Sequence, residues 1–205
     1  MKVELHLHTS LYSDCAVASP RELMEALIGA GYGAVYITEH HSVWHDRELA
    51  ALREEFPKIR IFPGVELNLC FDPLQHLTIL GTNDREYLSI FNPGKILAKA
   101  RAEGHLTVLA HPCRWVGAAQ ILADGLLPDA IEHRTCNQEF SQSADAAALA
   151  EKHGLPMVNA GDVHSVHMVG QCWIETARPL VEAGDIRPIV LAGEYENRTP
   201  GSRLF

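Results

Sequence analysis

With 205 residues, 47% of them hydrophobic and 21% charged, the chain has the size and composition of one soluble globular domain and excludes a disordered or membrane-embedded protein. A formal net charge of −9 argues against a broad nucleic-acid-binding surface, because neutralising phosphates needs clustered Lys and Arg, and no stable nucleic-acid complex is expected. Five scattered cysteines without a CxxC pair disfavour a zinc ribbon or a disulfide framework, and the first residues alternate like a strand instead of forming a basic-then-apolar leader, so a cytoplasmic location without membrane contact is expected.

The first predicted strand is Val3–His8. Period-2 alternation puts His6 and His8 on one face and Val3, Leu5 and Leu7 on the other. A helix follows, with Ser19 as N-cap, Pro20 at its first position and Gly31 as its stop. "GAVYIT" from Gly33 reads as a strand, and Asp46 to Phe56 as an amphipathic helix closed by Pro57. "IRIF", "VELNLCF" and "HLTILGT" are β-rich. Then come a helix from Pro93 to Glu103, the strand "LTVLAH", a helix near Val116 to Ala123, the strand "DAIEH", a helix from Ser143 to His153 and the strand "PMVNAGD". The whole reads as a single domain over residues 1–205, with 193–205 as a mobile tail.

Strand-helix alternation predicts a parallel α/β sheet, either a barrel or a doubly wound sheet. His8, His40, His111, His133 and Asp162 each stand at or just past the C-terminal end of a predicted strand. In a barrel those ends converge on one face, where active sites are built. The polar residues in order are "HLH" (His6, His8), "SD" (Asp14), "TEH" (His40), "GVE" (Glu66), "HLTILG" (His76), "AHP" (His111) and "GDVH" (Asp162, His164). All are nitrogen and oxygen donors, which suit zinc, manganese, iron or cobalt.

This ordered set resembles the polymerase and histidinol phosphatase (PHP) superfamily of metal-dependent phosphoesterases. The resemblance implies a distorted seven-stranded (β/α) TIM-like barrel of the PHP type and two to three divalent metal ions (Zn, Mn or Fe). It assigns a first metal to His6, His8, Glu66 and Asp162. A second would share Glu66 and take His76 and His111, and a third would sit on Asp14, His40 and His164. The chain departs from the family at "TEHHSVWH", where Glu39 and His41 replace the usual acidic neighbours of the histidine, and at "SDC", where Cys15 replaces a glycine. Glu39 is expected to affect the orientation of His40.

The expected reaction is hydrolysis of a small phosphate ester, monoester or short diester, by a hydroxide that bridges two metals, with Glu66 and Asp162 organising the centre. Arg114 in "AHPCRW" is the candidate phosphate binder, since a guanidinium engages two oxygens at once. His133 or His41 is the candidate proton donor to the leaving group. Two alternatives stand beside this reading: an amidohydrolase-type C–N hydrolase, which also begins with H-x-H on a first strand, and a non-catalytic metal-binding or regulatory domain. Composition leaves the oligomeric state open.

Overall fold

Ser19 caps the first helix as its sequence context predicts: its hydroxyl accepts the Glu22 N–H, the Glu22 carboxylate accepts the Ser19 N–H, and Pro20 opens the helix where an N–H would be unsatisfied. The computed structural model describes residues 1–201. Its elements are β1 (Lys2–Glu4), α1 (Pro20–Gly29), β2 (Ala34–His40), α2 (Asp46–Glu55), β3 (Arg60–Phe71), β4 (Leu74–Leu80), α3 (Pro93–Glu103), β5 (Leu106–Leu109), α4 (Gln120–Ala123), β6 (Ala130–Glu132), α5 (Phe140–His153), β7 (Met157–Val158), β8 (Trp173–Thr176), α6 (Ile186–Ala192) and β9 (Tyr195–Arg198). The helix expected from Val116 begins only at Gln120, because Gly117 is in the left-handed region at φ +82°. No helix among the described residues is long and apolar enough to cross a membrane.

The strands form one sheet in the order β7-β6-β5-β4-β3-β2-β1-β8-β9. The alternation predicts a parallel sheet, but β4 runs antiparallel to both β3 and β5. Only Asp72 and Pro73 join β3 to β4, and so short a link permits a hairpin but no parallel crossover. The sheet curls until Leu7, beyond β1, bridges in parallel to Val163, beyond β7. There the His8 N–H donates to the Val163 carbonyl at 2.8 Å and the Val163 N–H to the His6 carbonyl at 3.0 Å. Seven strands therefore close a barrel at this end.

At the other end β8 and β9 wedge between β1 and β7. β8 pairs antiparallel with β1 and with β9, and the Tyr195 hydroxyl of β9 donates to the Met157 carbonyl of β7 at 2.7 Å. Residues 195–198 of the expected tail are thus an edge strand, paired with β8 over four positions and tied to the Met157 carbonyl of β7 by the Tyr195 and Asn197 side chains; residues 202–205 lie outside the described residues. Alternate positions of all seven barrel strands, among them Val3, Tyr36, Phe62, Leu80, Val108, Ala130 and Val158, form one apolar cluster, and Ile186, Ile189 and Val190 of α6 plug it. A second cluster packs α1 and α2 on the outer faces of β2 and β3, and a third packs α3 and α4 on β3 to β6.

One strand does not alternate as its sequence predicts. Val3 and Leu5 both belong to the inner cluster, whereas Leu7 packs outside with Val35, Ile37 and Leu23. The phase slips between Leu5 and His6, where β1 and β7 part. Glu4 fills that gap: its Oε1 accepts the N–H groups of Leu5 at 3.1 Å, His6 at 3.2 Å and Gly161 at 2.6 Å. The slip lets an apolar barrel floor and a histidine-lined mouth occupy the same strand.

Candidate metal centre

The mouth gathers His6 and His8 past β1, His40 at the end of β2, Glu66 on β3, His76 on β4, His111 past β5, and Asp162 and His164 past β7. Glu66 is central. Its Oε2 lies 3.3 Å from His6 Nε2, 3.2 Å from His8 Nε2 and 2.9 Å from His40 Nδ1. Its Oε1 lies 2.8 Å from His76 Nδ1 and 3.1 Å from His111 Nε2. Asp162 Oδ1 completes the first set, 3.4 Å from His6 Nε2 and 3.3 Å from His8 Nε2, which are themselves 3.0 Å apart.

These spacings fit a divalent ion. Four donors placed tetrahedrally at Zn–N and Zn–O bond lengths are about 3.3 Å from one another. Five of the six edges among His6, His8, Glu66 and Asp162, all those that involve an imidazole, run from 3.0 to 3.4 Å. Buried Glu66 Oε2 has three imidazole nitrogens around it and no hydrogen bond, which is the state of an oxygen aimed at a shared point instead of at a donor. Three donor groups are tight enough to hold an ion: His6, His8 and Glu66; His8, His40 and His164; and His40, Glu66 and His76.

Charge and backbone strain mark the same place. Burial raises the Glu66 and Asp162 carboxyls, but the facing imidazoles, His6 foremost, outweigh it and hold both well below the ordinary carboxylate range. Burial likewise lowers His6, yet Asp162, Glu66 and Glu132 together raise it well above an ordinary histidine. Among the described residues, the non-glycine positions with left-handed φ are His41 (44°), His111 (26°) and Asp162 (47°). Each such residue costs about 1–3 kcal/mol, and all three are ligand candidates or adjoin one.

A layer of polar residues aims the ligands. His6 Nδ1 meets Glu132 Oε1 at 2.7 Å, which leaves Nε2 free to coordinate. His164 Nδ1 donates to the Asp162 carbonyl at 2.8 Å. Asn137 Nδ2 donates to Asp162 Oδ2 at 2.7 Å and to its carbonyl at 2.9 Å, pinning the strained residue. Glu39 reaches His40 through Ser13, whose hydroxyl donates to Glu39 Oε2 at 2.6 Å and accepts the His40 backbone N–H at 3.2 Å. Glu39 accepts from Thr9, Ser13 and Trp44, and Ser13 Oγ also lies 3.3 Å from His8 Nδ1, so its influence extends to His8 as well. Trp115, anchored on the Leu74 carbonyl, lies against the His111 and His76 rings at centroid distances of 5.2 and 5.5 Å.

Eight of the nine expected ligands converge here, grouped differently from the expected division, since His8 joins His40 and His164. Asp14 is exposed in the loop after β1 and belongs to none of the donor groups. His133 does not face the mouth as expected: it follows inward-facing Glu132 and falls on the outer face of β6 with Ile131, while neighbouring Asn159 is held by β9, its N–H donating to the Asn197 side chain and its Nδ2 to the Arg198 carbonyl. Strand parity is the cause, because Ala130 points inward, Ile131 outward and Glu132 inward. His41 Nε2 is occupied as acceptor of the Asn68 N–H at 2.7 Å. Arg114 stands at the rim, 38% exposed, with Nη1 3.8 Å from Asp162 Oδ2. Glu132 and Asn137 are the residues that sequence reasoning missed.

A family model described as PHP-associated matches residues 142–194, from α5 through the Asp162–His164 turn to α6. The chain is 29% identical over 205 aligned positions to the DNA polymerase/3'-5' exonuclease PolX of Bacillus subtilis, a match that covers 82% of this chain and 35% of PolX. A two-domain protein of Bacteroides vulgatus containing a predicted PHP-like metal-dependent phosphoesterase superposes with a TM-score of 0.74 at 16% identity, over 97% of this chain and 64% of that one. The chain has the PHP-type fold. An amidohydrolase of Chromobacterium violaceum, solved with sulfate and no metal, superposes with a TM-score of 0.64 at 13% identity, over 80% of this chain and 88% of that one. The chain spans about a third of the length of PolX and under two thirds of the Bacteroides protein.

Proposed function

We propose that the chain is a metal-dependent phosphoesterase that cleaves a small phosphorylated substrate at the barrel mouth, in a reducing, cytosolic setting. The observation that carries this reading is the convergence of Glu66 and Asp162 on His6 and His8, at contacts of 3.0–3.4 Å, with the second oxygen of Glu66 already facing His76 and His111. Divalent ions bound there supply Lewis acidity, lowering the pKa of water and offsetting charge on phosphoryl oxygens.

The chain's own residues do the rest. Glu66 holds the two donor sets within the span of one carboxylate, and the left-handed Asp162, fixed by Asn137, presents Oδ1 to His6 and His8 while Oδ2 faces His111 and Arg114. Arg114 binds the substrate phosphate from the rim, where its guanidinium is exposed and weakly held. Trp115 backs His76 and His111 and shields them from water on that side. The shared fold of the Chromobacterium amidohydrolase keeps C–N hydrolysis as a second reading.

Metal content of protein purified without chelator is measured by mass spectrometry, beside release of phosphate from a panel of phosphomonoesters and diesters and of ammonia or amine from amides. Two to three ions per chain are expected, with turnover on a phosphoester that drops at least about 100-fold in Asp162→Ala. Turnover on amides alone selects the second reading. A metal-loaded protein inert on every substrate leaves only a binding domain and overturns the proposal.

A further inference from the structure

One buried carboxylate touches the candidate ligands of both donor sets without joining either. Glu132 on β6 has a side chain 1% exposed. Its Oε1 lies 2.7 Å from His6 Nδ1, and its Oε2 accepts the backbone N–H of His111 at 2.6 Å. His6 belongs to the Glu66 Oε2 and Asp162 set, and His111 to the Glu66 Oε1 set. With both oxygens taken by N–H groups on the far side of the ligands, Glu132 has no place in the donor groups themselves.

Each contact does something different. At His6 the carboxylate fixes the tautomer protonated on Nδ1 and makes Nε2 a stronger donor. At His111 it replaces a ladder partner. The β5–β6 pairing reaches Leu109 and Ile131, and two residues on, His111 turns to φ 26°, so its N–H needs an acceptor outside the sheet. Strand parity makes the double contact possible, because Glu132 points into the mouth between the ends of β1 and β5.

We infer that Glu132 is a positioning residue that couples the two halves of the metal centre, so that its loss weakens both ion positions together. This rests on the metal-centre reading above. Glu132→Gln tests it, since the amide keeps the volume but has one acceptor oxygen for two N–H groups.

The experiment is a Co2+ titration of metal-free protein followed by d–d absorption against a competing chelator, for wild type, Glu132→Gln and His76→Ala. Wild type is expected to show at least two binding steps. Glu132→Gln should weaken both by about 10–100-fold, whereas His76→Ala, touching one set, should weaken one. Wild-type-like binding by Glu132→Gln, or loss at a single step, overturns the coupling. A wild type that takes up no Co2+ overturns the metal-centre reading itself, so the two failures are distinct. A measurement without a variant guards against misfolding: histidine 15N–1H spectra of the Zn2+-loaded wild type should show His6 protonated at Nδ1. Protonation at Nε2 overturns the role.

Discussion

The two ends of the barrel are made from the same strands and solve opposite problems. The floor, where Tyr36, Phe62, Val108 and Val158 meet α6, is apolar and relaxed, and stabilises the fold by removing hydrocarbon from water. The mouth packs imidazoles and carboxylates within about 3 Å of one another and holds three non-glycine residues at positive φ. Stability made at one end offsets strain spent at the other. The boundary runs through Glu4, whose carboxyl stitches the slipped strand between floor and mouth.

The largest effect that can sharpen this contrast is at that boundary. Burial pushes the Glu4 carboxyl up to about 8, against the N–H groups of Gly161 and His6 that favour its charged form. Folded Glu4 keeps a proton that the unfolded chain has already lost, so the stability it confers is complete below pH 4.5 and is lost as pH rises through 8. The loss across that window is about 5 kcal/mol, and Glu4→Gln, which does not titrate, should lack it. Urea unfolding of chelator-treated protein between pH 5 and 8.5 should show wild type falling relative to the variant; parallel curves would remove Glu4 from this role.

Next in size, Ile189→Ala in the α6 plug, a fully buried position, should cost about 2–5 kcal/mol of unfolding free energy. Ion binding by the folded protein should be unchanged. If Co2+ affinity falls with it, floor and mouth are not separable. The smallest effect is at the rim: Arg114→Ala should raise KM for the phosphoester about tenfold with kcat nearly constant and leave stability within about 0.5 kcal/mol. A fall in kcat alone would assign Arg114 to the transition state instead of to phosphate binding.

Much of this was legible along the chain. Ser19, Pro20 and Pro93 mark helix starts because capping and proline chemistry act over a single turn. The ordered donors from His6 to His164 pointed to a metal site because histidine and carboxylate at strand ends have few other reasons to gather. Less legible were the short strands β8 and β9, whose four-residue runs carry little periodicity, and the antiparallel course of β4.

Local sequence therefore determined the caps, the helices and the identity of the donors, since each depends on interactions within a few residues. Tertiary structure alone decided which neighbour of a pair faces the mouth. "IEH" offers two titratable side chains, and only the register of β6 against β5 and β7 turns Glu132 inward and His133 outward. In "ELHLH" the alternation is sound within the strand, but the gap that Glu4 fills exists only where β1 and β7 diverge, and that divergence is set by closure of the barrel through Leu7 and Val163. Facing is a property of the closed sheet, because a period of two fixes relative sides and never says which side is in.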